Sequence, residues 1–344
     1  MSRRSSRRWS VAAPQGRRGA GLGNEIIALG KAYLGASELG ARLVEQPWWL
    51  NSRRYGNELG RNLSADVEVR LRGIRLPRIR LSWSVLPFPW DYRRSMQALN
   101  ANLPSSCVVV HTSGMAGGYL TILDARPFLQ RRLGIPRNPA PVDRPLQVGL
   151  HLRVGDYTTQ PICPGVFNAR LSQQWIMNAL MSLRESWSGA MDLTIVTDAA
   201  PRDPLLEGIV ERIPRAVSVR VSSASVLGDL RRLTLSDIIV PSVSSYSMMA
   251  IFLSDTAYLW PLHHLNDTDG WLSIWGHEEE VLGGPVAGNI RTLEAESATP
   301  VPPRGFPLGD EECDLRTWLH HVRQRGERRP ENDLVLHGVV KRGS

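Results

Sequence analysis

The run Gln147-Val148-Gly149-Leu150-His151-Leu152-Arg153-Val154-Gly155-Asp156-Tyr157 holds the densest chemistry in the chain. An apolar stretch that reads as a buried strand ends abruptly in His, Arg, Asp and Tyr. His151 and Arg153 are two residues apart, so in extended backbone both leave the same face. Arg153 brings a permanently charged, planar fork suited to a phosphate. Spacing alone leaves a second use open, a loop salt bridge between Arg153 and Asp156. Ser244 and Ser245 precede an apolar helical run. Helix N-termini favour anions, so these serines could hold a phosphate through hydroxyls and backbone N–H groups. Simple helix capping uses the same residues.

Three other constellations carry less. Asp267-Thr268-Asp269 has the spacing that holds Mn or Mg through a nucleotide diphosphate. It stands between Asn266 and Gly270, after the last clear strand, and reads as a polar turn. His263-His264 and His277-Glu278 bring no HExxH pattern and read as mixed polar surface. Gly21-Leu22-Gly23-Asn24 lacks the full GxGxxG spacing with an acid about 20 residues further on. No metal site is expected.

The elements that must position these residues alternate. Strand patterns fall at Gln147–Leu152, Asp192–Thr197, Ser218–Val221, Asp237–Val240 and Ala257–Trp260. Helical patterns lie between them at Ser172–Ser186, Pro204–Ile213, Ser225–Leu235 and Ser245–Leu253. Short apolar strands alternating with helices imply a parallel sheet covered on both faces, which binds ligands at the carboxyl ends of its strands. Earlier in the chain, a strand is expected at Trp9–Ala13 and a helix after a Gly-rich turn, with Ile26, Ile27, Tyr33 and Leu34 on one face and Asn24 as its cap. Further strands are expected at 41–45 and Cys107–His111, and a helix at Leu120–Leu133. Residues 47–105 resist assignment. Their Trp48, Trp49, Arg53, Arg54, Tyr55, Trp83 and Trp90 suit an acceptor surface or a core equally. Residues 135–145 contain four prolines and read as a linker. The expected division is a basic disordered tail at 1–18, domains at 19–140 and 141–284, and a Pro/Gly/charge-rich extension at 285–344, in which Trp318-Leu319 and Val335–Val340 can still pack.

The chain has 344 residues, 42% of them apolar and 22% charged, which excludes wholesale disorder and disulfide-dense scaffolds. Its net charge of +8 is unevenly placed. Residues 1–18 hold six arginines and no acid, so +8 less six leaves +2 for the remainder. A nearly neutral body with a solvated basic arm argues against nucleic acid as the partner. No apolar run reaches the roughly 18–20 residues of a membrane span. Arg7-Arg8-Trp9 is followed by no apolar leader segment, and three scattered cysteines suit a reducing compartment, so a cytoplasmic protein is expected.

The string HLRVGDY from His151 to Tyr157 resembles the HxRRGDY motif of the GDP-fucose-dependent fucosyltransferases, which include the alpha-1,2 and alpha-1,6 enzymes and the protein O-fucosyltransferases. Gly21-Leu22-Gly23-Asn24-Glu25 resembles their N-terminal GxGNQ turn. Thr194-Ile195-Val196-Thr197-Asp198 resembles their strand ending in S/T-D-D. Asp229–Met249 resembles their third motif, with Asp229, Asp237 and Ser244-Ser245 in order. The four matches are colinear over roughly residues 19–260.

This resemblance implies an α/β protein of GT-B type, two facing Rossmann-like domains. It implies inverting transfer of fucose from GDP-fucose, without a metal or other cofactor, to a glycan, peptide or small-molecule hydroxyl. Carried over by position, Arg153 would contact the donor pyrophosphate and His151 would sit beside the phosphate or the guanine ribose. Asp229 would accept from guanine, and Ser244 and Ser245 would hold phosphate. Gly23, Asn24 and Asp198 would complete the donor site. Glu25 and Asp156 are the motif-adjacent carboxylates for the catalytic base. Val154 stands where the family has a second Arg, Glu25 where it has Gln, and Ala199 where it has a second Asp. Arg231, Arg232 or Arg202 could replace the missing charge. These departures leave open a catalytically degenerate binding or scaffold protein.

Overall fold

The computed structural model describes residues 8–12, 21–45, 48, 55–59, 76–88, 92–111, 118–136, 144–155, 157–159, 169–222, 225–254, 256–261, 305–308, 315–325, 334–336 and 339–341. The chain divides into two compact units, Met1–Gly134 and Ile135–Ser344.

The first unit contains β1 (Trp9–Ala12), α1 (Leu22–Glu38), β2 (Arg42–Val44), β3 (Arg78–Leu81), α2 (Tyr92–Asn100), β4 (Val108–His111) and α3 (Arg126–Leu133). Its four strands lie in the order β2-β1-β4-β3 and all pair in parallel. Helix α1 is apolar on nearly every side and is buried over most of its length, as a helix of that pattern must be. Gly35 lets it approach β4. A Cβ at Gly35 would collide with the His111 ring and stand 2.9 Å from Ser10 Oγ.

Two sequence expectations change here. Helix α1 begins at Leu22, with Gly21 as its extended cap, because the Gly21 carbonyl accepts the N–H groups of Asn24 and Glu25. Asn24 therefore lies inside the first turn and is not the cap. The single helix expected over Leu120–Leu133 is a 3-10 turn, Leu120–Ala125, broken at Ile122, followed by α3. Pro127 has no N–H to donate and sits in the first turn of α3, where none is needed, so a new helix starts there. Strand β3 and helix α2 come from the stretch that the sequence left unassigned.

The second unit contains β5 (Leu146–Leu152), α4 (Gln173–Ser186), β6 (Met191–Thr197), α5 (Pro204–Arg212), β7 (Val217–Ser222), α6 (Val226–Thr234), β8 (Ile238–Val240), α7 (Ser245–Leu253), β9 (Ala257–Pro261), β10 (Gly305–Leu308) and α8 (Leu315–Arg325). Its six parallel strands run β10-β9-β8-β5-β6-β7. Both units are thus Rossmann-like, parallel sheets packed with helices. The alternation of short apolar strands with helices foretold this, and capping reinforces it. The side chains of Ser172, Asp203, Ser225 and Ser244 each accept a backbone N–H in the first turn of the helix they precede.

The last part of the chain contributes more than an extension would. Strand β10 pairs in parallel with β9, and α8 buries Trp318 and Leu319. Arg323 on α8 reaches Asp237 Oδ2 at 3.2 Å, and Arg144 reaches Oδ1 of the same carboxylate at 2.8 Å. Asp237 also accepts the Gln147 N–H at 2.9 Å. The carboxylate that the third motif placed at a strand start therefore fastens the tail to the amino edge of the sheet, opposite the strand ends that bear chemistry. A short antiparallel hairpin pairs Leu334–Leu336 with Val339–Lys341.

Candidate functional site

From β5 the chain moves through β6 to β7 at one edge, then returns to place β8 on the other side of β5. The carboxyl ends of β5 and β8 thus form a switch point, where loops diverge and leave a crevice for a ligand. His151 and Arg153 leave β5 there. Pro241-Ser242-Val243-Ser244 leads from β8 into α7 at the same edge.

His151 is buried in a nest of serines. Its Nδ1 lies 2.7 Å from Ser247 Oγ, 2.9 Å from Ser242 Oγ and 3.4 Å from Ser244 Oγ. The Ser247 hydroxyl also accepts the Ser242 N–H at 3.1 Å. Ser244 Oγ accepts the Ser247 N–H at 3.2 Å and so caps α7. The Tyr246 ring leans on the imidazole at 5.0 Å between centroids, with its hydroxyl on the Val226 carbonyl. Burial pushes the His151 pKa down to about 4, with the nearby Arg153 charge adding to the drop and Asp198 opposing it. The ring is neutral near pH 7. It organises the β8–α7 turn, so the reading of Ser244 as a cap is the one realised. Ser245 is the first residue of α7 and is partly exposed.

Arg153 is partly exposed just past the end of β5. Its Nη1 is 2.7 Å from Asp198 Oδ2, and its guanidinium lies 5.4 Å from the centre of the Tyr157 ring. Asp198 Oδ1 accepts the Val154 N–H at 2.8 Å. The register pairs Leu152 with Thr197, so the next residue of each strand, Arg153 and Asp198, emerge side by side. The salt bridge contemplated with Asp156 is made with Asp198 instead. Asp156 lies outside the described residues. Gly155 closes the turn so tightly that a Cβ there would stand 2.7 Å from Asp198 Oδ2.

Asp229 is buried in the first turn of α6. It accepts from Ser222 Oγ at 2.5 Å and from Arg232 Nη1 at 2.9 Å. Arg232 is therefore committed to Asp229 and Ser222, while Arg231 and Arg202 point to the exposed surface. In the first unit, Gly23, Asn24 and Glu25 share the first turn of α1. The Gly23 carbonyl accepts from the Tyr119 hydroxyl at 2.9 Å, Glu25 is buried, and Asn24 Oδ1 is buried without a hydrogen bond among the described residues.

Asp267-Thr268-Asp269, His263-His264 and His277-Glu278 also lie outside the described residues. No group of three metal-ligating side chains occurs among the described residues. No helix among them is long and apolar enough to cross a membrane. Sequence reasoning missed Ser242 and Ser247 as partners of His151; a Ser-x-Ser-x-x-Ser spacing after a strand was the available signal. It also missed a buried group in the first unit, Ser10, Lys31, Tyr92 and His111. There the signal was Lys31, one of two lysines in the chain, in the middle of an apolar helix.

Fold and site together define an open parallel α/β protein with an arginine-bearing, serine-lined switch point. No known family's sequence profile matches the chain, and no curated protein matches it in sequence. Two solved structures are similar. One is a crystal structure of POFUT1 in complex with GDP, 12% identical, with a TM-score of 0.42 over 74% of this chain and 98% of that one. The other is NodZ alpha-1,6-fucosyltransferase soaked with GDP-fucose, 13% identical, with a TM-score of 0.39 over 72% of this chain and 92% of that one.

Proposed function

We propose that the chain is an inverting, metal-independent glycosyltransferase of GT-B type that takes fucose from GDP-fucose to a hydroxyl acceptor. One observation carries this reading: a charged arginine and the N-terminus of α7 share the switch point of a parallel sheet, which suits an anionic donor. The motif resemblance supplies the guanine nucleotide and the sugar.

In this reaction the acceptor oxygen bonds to the anomeric carbon as the bond from that carbon to the diphosphate oxygen breaks. The acceptor proton passes to a carboxylate, and GDP departs with the electron pair. Arg153 stabilises the leaving diphosphate, since a preorganised cation acts where charge develops. Backbone N–H groups at the start of α7, with Ser245, hold the phosphate oxygens. His151 acts indirectly, by keeping the Ser242–Ser247 turn in shape. Glu25 and Asp156 are the two carboxylates proposed for the base. Glycan, peptide and small-molecule acceptors all satisfy this scheme.

Thermal shift with GDP, UDP, ADP and GDP-fucose, without and then with Mg, tests the donor. A ligand that binds only the folded state raises its stability. GDP and GDP-fucose are expected to shift the melt without metal, and Arg153→Ala to weaken GDP about 10–150-fold. Unchanged GDP affinity in that variant removes the central role of Arg153. A shift with UDP that needs Mg removes the donor assignment.

A second reading has its own support. Asp198, Asp229 and Ser244 are each engaged within the protein. A binding or scaffold protein that retains the fold would bind GDP, yet neither transfer nor hydrolyse the sugar of any GDP-sugar.

A further inference from the structure

We infer that Asp198 is a positioning residue for Arg153, holding the guanidinium and its loop in place before an anion arrives, rather than a ligand contact. This rests on the reading of Arg153 as the diphosphate contact. Both oxygens of Asp198 are engaged, Oδ2 by Arg153 at 2.7 Å and Oδ1 by the Val154 N–H at 2.8 Å. The carboxylate thus clasps two successive residues of the loop that leaves β5. Gly155 permits the clasp, because any Cβ at that position would strike Oδ2. Tyr157 flanks the guanidinium.

An arginine side chain loses considerable rotamer freedom when it is fixed. Asp198 imposes that loss in the ligand-free protein, so less remains to be lost on binding. Its negative charge also repels a diphosphate, and the two effects oppose each other. Positioning prevails in this geometry, because removing Asp198 releases a side-chain fork and a backbone N–H together. The side chains of Arg153 and Asp198 are 21% and 30% exposed, and ion pairs at such exposure add little to global stability. The role therefore reads out in binding and local order more than in the melting temperature.

The first test needs no nucleotide. In the ligand-free protein, the Arg153 Nε–H resonance, assigned through Arg153→Lys, is expected to be dispersed and protected from solvent exchange. Asp198→Ala should collapse it, and Asp198→Asn, which keeps an acceptor for both partners, should retain it in part. An unchanged resonance in Asp198→Ala overturns the inference. The second test is GDP titration. Asp198→Ala should weaken GDP about 10-fold and Asp198→Asn less, with melting temperatures close to wild type. In an Arg153→Ala background, Asp198→Ala should add nothing, because Asp198 acts through that arginine. Equal or tighter GDP binding by Asp198→Ala, or full additivity of the two changes, overturns the inference. A wild-type protein that ignores GDP while Asp198 still orders Arg153 overturns the donor reading and leaves the positioning role standing.

Discussion

Each unit ends an inner parallel strand in a buried histidine, and the two are used differently. His111 closes β4 beneath α1, with Ser10 Oγ on Nε2 and the Tyr92 hydroxyl on Nδ1, so both ring nitrogens are satisfied by side chains. Lys31 lies nearby, its Nζ 5.6 Å from the centre of the Tyr92 ring. His151 stands one residue before the end of β5, with Nδ1 ringed by three serine hydroxyls and Arg153 two residues on. Burial pushes both pKa values down, to about 3 for His111, where Lys31 adds to the drop, and to about 4 for His151. Burial and a lowered pKa therefore fail to distinguish a structural histidine from one beside chemistry. The difference lies in the chain beyond each ring. His111 is the last residue of β4, whereas β5 carries on into Arg153 and the switch point.

The sharpest way to break this comparison is His111→Ala. It removes a fully buried ring, leaves a cavity and strips partners from the Ser10 and Tyr92 hydroxyls. A loss of about 3 kcal/mol is expected in denaturant unfolding. A loss below about 1 kcal/mol would mean that the first unit tolerates the site as loosely packed surface, and the contrast would fail.

Lys31 gives the next largest effect and sets the two units apart by pH. Burial lowers its pKa from 10.5 to about 7. Between about pH 7 and 10.5 the unfolded chain binds this proton and the folded chain does not, so stability rises with pH across that window. Lys31→Met should abolish that rise and stabilise the protein near pH 7 by about 1–2 kcal/mol. On the acid side the same sign applies to both histidines. From about pH 6.5 down to 3–4 the unfolded rings take up protons that the folded rings refuse, so stability falls as pH falls. Unfolding curves across pH 3–10 for wild type and Lys31→Met check both limbs. A wild-type curve that is flat above pH 7 would show that Lys31 stays charged in the fold.

The second unit was far more legible in the sequence than the first. Its strands β5 to β9 stand out as short apolar runs separated by helix patterns, and Ser225 and Ser244 mark helix starts through local capping chemistry. Local signals do not specify which strands lie side by side. The pairing of Arg153 with Asp198 depends on the β5–β6 register, so Asp156, three residues away, looked like the natural partner. Strand β10 was hidden for a related reason. Its hydrogen bonds come from β9, while its own sequence, Gly305-Phe306-Pro307-Leu308, lies in a Pro-rich tail. In the first unit, Pro127 divided a continuous helical pattern, and the cluster around His111 joins residues from β1, α1, α2 and β4 that share no motif. At the site, residue types pointed to the correct edge of the sheet. The partners of Arg153, Asp229 and His151 all required tertiary contacts.

Ser247→Ala makes the smallest change and probes the side of the comparison nearest to chemistry. Ser247 is fully buried; its Oγ lies 2.7 Å from His151 Nδ1 and accepts the Ser242 N–H. His151 keeps Ser242 Oγ at 2.9 Å after the substitution, so the ring remains partnered and the orphaned group is the Ser242 N–H. The expected cost is about 1 kcal/mol, well below that of His111→Ala, because one hydrogen bond is lost and no ring-sized cavity appears. The consequence for binding separates the two histidine sites. A loosened Ser242–Ser247 turn displaces the start of α7, so GDP affinity should fall a few-fold in Ser247→Ala, as measured by calorimetry. Unchanged affinity alongside the stability loss would make the serine nest as purely structural as the pocket around His111, and the phosphate would then depend on Arg153 alone.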